Sequence, residues 1–189
     1  EIRVLGRRAL PVVSNVADPD TVAALADTVM HEFGRVDFVI NNAGAARAGD
    51  RVPVVDVDPA AWRKVIDVNL NGSFYMSQVF GRKLIEQGEG GAIINISSVG
   101  GKLMAPSTAA YAASKAGLHA LTAAMAADLA ASRDPPTNAT TIIAPPIPYS
   151  LSSPPITSLM SCLPILLASY TSRLVALTIL TTHAIVIVS

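Results

Sequence analysis

Tyr111 and Lys115 stand four residues apart in "YAASK", inside a stretch that is otherwise mostly alanine, and the pair Ser97-Ser98 precedes them across a glycine-containing loop. Residues four apart on a helix share a face. A free phenol ionises near ~10, too high to trade protons readily at neutral pH. A cation within a few ångströms favours the phenolate. The positive end of a helix dipole acts the same way on a residue in the first turn. The pair therefore suits general acid/base work on an alcohol or carbonyl oxygen, and the Ser98 hydroxyl can hydrogen-bond that oxygen. The plain alternative is a tyrosine and a lysine facing solvent on a surface helix, because spacing alone is a weak signal.

The flanking elements favour the chemical reading. "ALPVVSNV", 9–16, reads as a short buried strand. Asp18 and Pro19 form a helix start, Val22, Leu25, Ala26, Val29 and Phe33 recur at helical spacing, and Gly34 ends the helix. "VDFVI", 36–40, is a second strand, closed by "NNAG". Asp58-Pro59 opens another helical stretch to about Gln87, with a bend expected near Asn69–Gly72. "GAIINIS", 91–97, is apolar enough to be buried on both faces. Thr108 precedes a long helix to about Ala131, and "TTIIA", 140–144, can form a further strand. Alternating strands and helices predict a parallel α/β sheet. Ligands of such sheets sit beyond the carboxyl ends of the strands, where Asn41–Gly44 and Ser97-Ser98 both fall.

Composition bounds the rest. A chain of 189 residues can bury a substantial core. Its net charge of zero offers no field for nucleic acid. A single cysteine, Cys162, forms no internal disulfide, and with no secretory-type start the expected setting is reducing and cytoplasmic. Charge is uneven: 27 of the 28 charged residues lie in 1–134, and only Arg173 lies in 135–189. We therefore divide the chain into a domain, 1–134, and a low-charge tail, 135–189. The uncharged run 155–172 approaches the ~20 residues of a bilayer span, but Pro164 and its hydroxyl side chains argue against one. His31, His119 and His183 show no metal-ligand spacing, so no metal site is expected.

"NNAG" at 41–44, "VNLNGSF" at 68–74, "NISS" at 95–98 and "YAASK" at 111–115 occur in the order and spacing of the short-chain dehydrogenase/reductase family. The chain resembles that family over roughly residues 1–131. The resemblance implies an NAD- or NADP-dependent oxidoreductase acting on a small alcohol or ketone. It implies Tyr111 as acid/base, Lys115 beneath it and on the nicotinamide ribose, Ser98 on the substrate oxygen, and Asn69 holding a water in a proton relay. Asn41, Ala43 and Gly44 match the cofactor-side strand end. Asn15 and Val16 match a dipeptide that contacts adenine, with asparagine where aspartate is usual. The stretches 59–87 and 109–131 match helices that pair copies into dimers or tetramers.

The sequence also departs from the family. The Thr-Gly-x-x-x-Gly-x-Gly loop that cradles pyrophosphate at a helix start is absent from these residues, as is the second strand. The expected fold is an incomplete Rossmann-like, doubly wound parallel sheet in three α/β/α layers, truncated by its first two strands and ending in an irregular tail. Two absent strands leave a gap of about 14 Å between the 9–13 and 36–40 strands, so the former must pair elsewhere or the sheet must close up. Weak or absent cofactor binding by this chain is expected. The alternative function is a non-catalytic remnant that partners a relative.

Overall fold

The computed structural model describes residues 8–45, 49–131, 139–144, 175–178 and 184–188. Helix α1, Pro19–Phe33, starts where the Asp18 carboxylate accepts the Asp20 amide and ends at Gly34, whose φ of 75° is left-handed. Strand β1 is Phe38–Asn41. Helix α2, Pro59–Ile66, is capped by Asp58 in the same manner as α1. It runs through a π-turn, Asp67–Asn71, into α3, Gly72–Gln87. That π-turn is the physical form of the expected bend: one extra residue is accommodated in the ladder. Strand β2 is Gly91–Ile96, followed by a 3-10 turn, Val99–Gly101, and α4, Ala109–Ala131. Thr108 stands just before α4, with its carbonyl accepting the Ala112 amide.

Strands β3 (Ala139–Ala144), β4 (Val175–Thr178) and β5 (Ala184–Val188) complete one sheet in the order β3-β2-β1-β5-β4. β1, β2 and β3 are parallel, with Asn41 opposite Asn95 and Ile96 opposite Ala144. β5 runs antiparallel to β1, with Ala184 opposite Asn41, and β4 runs antiparallel to β5. β3 falls on the strand expected at 140–144, whereas β4 and β5 come from a tail expected to be irregular.

The sheet does close up. The stretch 9–16 forms no strand beyond an isolated bridge at Val12, which corrects the sequence expectation. β1 takes β5 as its neighbour, so an apolar run alone did not make a strand here. Pro11 has no N–H to give a ladder, and Val13 is 75% exposed. Residues 14–18 instead tie down the start of α1: the Asn15 carbonyl accepts from the Thr21 hydroxyl at 2.7 Å and from the Asp18 amide at 3.0 Å.

The core lies between the sheet and one helical layer. Val22, Leu25, Ala26 and Val29 of α1 meet Met76, Phe80 and Leu84 of α3 and Val39 and Ile93 of the sheet. Full burial of side chains such as Phe80, Leu25 and Met76 stabilises by ~1.5–3 kcal/mol each. Asn41 and Asn95 bond to each other, Asn41 also to Ser77 of α3 and Asn95 to Thr122 of α4, so α3 and α4 cover the same face. On the other face Phe38, Ile40, Ala92 and Ile94 are buried as well.

Gly91 opens β2 at φ +146°, and a Cβ there would stand 2.5 Å from Leu84 Cδ2 and 2.6 Å from the Asp37 carbonyl oxygen. Both conformation and space exclude a side chain. Gly91→Ala should lower the unfolding free energy by about 2 kcal/mol or more in urea titrations. An unchanged midpoint would mean the β1–β2 packing is wrong.

Candidate active site

Three segments converge beyond the carboxyl ends of β1 and β2. The first is the end of β2 and its turn. Ser98 accepts the Gly100 amide at 3.1 Å, which fixes its oxygen at the start of the 3-10 turn. This turn lies hard against α4, since a Cβ on Gly101 would stand 2.8 Å from the Lys115 carbonyl carbon. A Cβ on Gly100 would stand 3.4 Å from Tyr111 Cε1 and 3.5 Å from Ser98 Oγ. The serine hydroxyl and the tyrosine ring edge therefore flank the same glycine.

The second segment is the first turns of α4. Tyr111 is half-buried. Lys115 is buried, 5% exposed, and its Nζ lies 6.0 Å from the Tyr111 ring centre. The solvent-facing alternative therefore does not hold for the lysine. Its ammonium donates to the Ile96 carbonyl at 2.8 Å, the last residue of β2. Burial pushes the Lys115 pKa down from 10.5 to about 8. One of its three N–H groups is spent on Ile96; among the described residues the others have no acceptor. The Tyr111 hydroxyl has no hydrogen-bond partner among them either, and the Ser98 hydroxyl accepts but does not donate.

The third segment is the loop after β1, held by Asn69 from the π-turn. The fully buried Asn69 side chain accepts from the Ala45 amide at 2.7 Å and donates to the Ala45 carbonyl at 3.1 Å. It also donates to Ser114 Oγ at 3.1 Å, and Ser114 donates in turn to the Tyr111 carbonyl at 2.7 Å. Gly44 is exposed, and a Cβ on it would meet Asn69 Oδ1 at 3.7 Å; Ala43 beside it is buried.

The structure thus gathers Ser98, Tyr111 and Lys115, and links Asn69, Ala43 and Gly44 to them through one clamp. Asn41 stands apart from that opening. It is 3% exposed and its amide donates to Ser77 and Asn95 within the sheet and helix layer. Asn15 lies on the surface with its side-chain oxygen on the Ala17 amide, and Val16 is buried against Gly72. Two residues were not singled out from the sequence. Arg51 places its guanidinium carbon 5.0 Å from the Tyr111 ring centre. His119, one turn beyond Lys115, shares a 2.7 Å hydrogen bond with Ser97. Its i+4 spacing from Lys115 was a readable signal; Arg51 sits in irregular chain and gave none.

Among the described residues no group of three His, Cys, Asp or Glu side chains can hold a metal ion, and no helix is long and apolar enough to cross a membrane. Cys162, His183 and the run 155–172 lie outside the described residues.

Parallel strands β1, β2 and β3, with α4 following the end of β2, define an incomplete Rossmann-like α/β fold. A family model described as short chain dehydrogenase matches residues 1–145, and the chain belongs to that family. Cis-4-hydroxycyclohexanecarboxylate dehydrogenase of Sinomonas cyclohexanicum is 40% identical over 131 residues, covering 69% of this chain and 51% of the relative. A gluconate 5-dehydrogenase from Burkholderia cenocepacia, solved in complex with NADP and tartrate, is 34% identical with a TM-score of 0.61, covering 69% of this chain and 48% of that one. An NAD+-bound xylitol dehydrogenase is 30% identical with a TM-score of 0.63, covering 79% and 54%. The chain spans about half the length of the curated relatives it matches.

The depressed lysine pKa has a measurable sign. Between about 8 and 10.5 the unfolded chain holds the Lys115 proton and the folded chain does not. Stability from this group therefore rises with pH across that window, and the gain is lost as pH falls through about 8. Lys115→Met should flatten this slope. Urea midpoints taken near ~7 and ~10 should differ less in the variant; an unaltered difference would place the ammonium in solvent.

Proposed function

We propose that the site transfers hydride between a nicotinamide cofactor, NAD or NADP, and a small secondary alcohol or ketone, with Tyr111 as acid/base. The observation that carries this reading is the meeting of Ser98, Tyr111 and Lys115 with polar groups that no described residue uses. Support comes also from relatives named as dehydrogenases, one solved with NADP and one with NAD+.

The residues present fit the nicotinamide end of such a cofactor. Lys115 keeps two donors for ribose hydroxyls, and Gly44 lets backbone approach closely. When bound, the nicotinamide gives or receives the hydride. The chain's own groups do the rest. Ser98, whose lone pair is taken by Gly100, has its O–H to donate to the substrate oxygen. Tyr111 gives its proton to that oxygen on reduction and takes it back on oxidation. The ammonium of Lys115, held against the end of β2, favours the phenolate. Asn69 spends its amide on holding the walls of the site, and its family-matched part is to hold the water of a proton relay there.

Tyr111→Phe removes the proton without changing the ring. It should reduce alcohol-dependent NADH or NADPH formation by about 10²–10⁴-fold, with the far-ultraviolet circular dichroism unchanged. Retention of full turnover would remove Tyr111 from the chemistry.

A second reading, a non-catalytic partner of a relative, has its own observation. The starts of α1 and α2 are each occupied by a carboxylate, Asp18 and Asp58, where a phosphate would need open amides. Titration of nicotinamide fluorescence separates the two readings. Micromolar binding of NADH or NADPH supports the enzyme, whereas no binding at millimolar cofactor supports the partner.

A further inference from the structure

Arg51 stands at the edge of the site with most of its guanidinium turned away from the one carboxylate near it. Its guanidinium carbon lies 5.0 Å from the centre of the Tyr111 ring. Its side chain is 39% exposed. A guanidinium over an aromatic face uses its own face for that contact and keeps its N–H groups around the edge. No hydrogen bond from those groups to a described residue is formed. The nearest carboxylate, Asp50, is wholly buried and approaches only through Nε, at 4.0 Å, outside hydrogen-bond reach. Among the described residues the forked end of Arg51 is thus unclaimed over the ring of Tyr111. With Lys115 6.0 Å from the same ring centre, two cations and the one buried carboxylate of Asp50 lie about one phenol, a net positive charge. Such a field favours an anionic ligand.

We infer that Arg51 clamps the carboxylate of the substrate while Ser98 and Tyr111 hold its reacting oxygen, so that this site selects hydroxy acids and the corresponding oxo acids. The inference rests on the redox reading of the same site. Two parallel N–H···O bonds from the fork fit a planar carboxylate and fix its direction as well as its place. Arg51 reaches the ring from the loop after β1, whereas Ser98, at the end of β2, flanks the same glycine, Gly100, as the ring edge. A molecule bound to both is oriented at two points, and the carbon bearing its oxygen is set by the distance between them. A neutral alcohol is held at one point only and leaves the guanidinium facing water. The charge contact is made equally in ground and transition state, so it acts on affinity and orientation rather than on the proton step.

The test is calorimetric titration of the whole chain with 4-hydroxycyclohexanecarboxylate and with its neutral carboxamide. The acid should bind at least about tenfold more tightly than the amide. Arg51→Gln should abolish that preference while leaving amide affinity in place, and Arg51→Lys should retain part of it. Equal affinity of the wild-type chain for acid and amide, binding of neither, or an undiminished preference in Arg51→Gln would each overturn the clamp. So would a matching loss of NADH or NADPH affinity in Arg51→Gln, which would assign the guanidinium to the cofactor. The two readings fail separately: acid preference with no turnover of any alcohol sinks the redox step alone, and turnover without acid preference sinks the clamp alone.

Discussion

The site depends on one buried carboxamide. Asn69 comes from a helix, yet its side chain bonds both backbone groups of Ala45 in the loop after β1 and the Ser114 hydroxyl on α4. Three chain segments far apart in sequence thereby share a single planar group with no exposure to water. An amide so placed cannot lose one partner without leaving a buried polar atom unpaired, a cost of ~1–3 kcal/mol. The geometry of Tyr111 follows, because Ser114 passes the constraint to the backbone of that residue.

Two sets of polar residues differ in where their hydrogen bonds go. Asn41, Asn95 and Thr122 are buried and bond one another in a line from sheet to helix, with Thr122 donating back to the Leu118 carbonyl. Their hydrogen bonds join layers that apolar contact alone would leave free to slide. Ser98, Tyr111, Lys115 and Arg51 surround the opening with donors that no described residue takes up. Burying an ammonium with one acceptor costs free energy that packing must offset, and the lowered pKa of Lys115 is the trace of that cost.

Much of this was legible in advance because local chemistry and fold agreed. Asp18-Pro19 and Gly34 bounded α1 through capping, and the apolar residues between them were the buried ones. The residues of "NISS" and "YAASK" converged because the end of a strand and the start of the next helix are forced together in a parallel unit. The strand at 9–13 misled because an apolar run reports burial, whereas a strand also needs a partner with the matching edge free. The partner of β1 came instead from β5, in a tail whose composition carried no legible pattern. Arg51 was hidden for a related reason: its place over Tyr111 is set by a loop, where neither period nor cap ties one residue to another.

The π-turn also governs the face that α3 presents. Each residue of a helix turns the chain by roughly 100° and advances it by ~1.5 Å. The widened turn Asp67–Asn71 spends one residue more than regular winding would, so the helix faces on either side of it keep their phase. Within α3 there is no such slack: losing one residue there, between Met76 and Phe80, would swing Phe80 and Leu84 by that angle relative to Met76 and take them off the sheet. The π-turn is therefore where this helix absorbs an odd residue, and Asn69 stands in it.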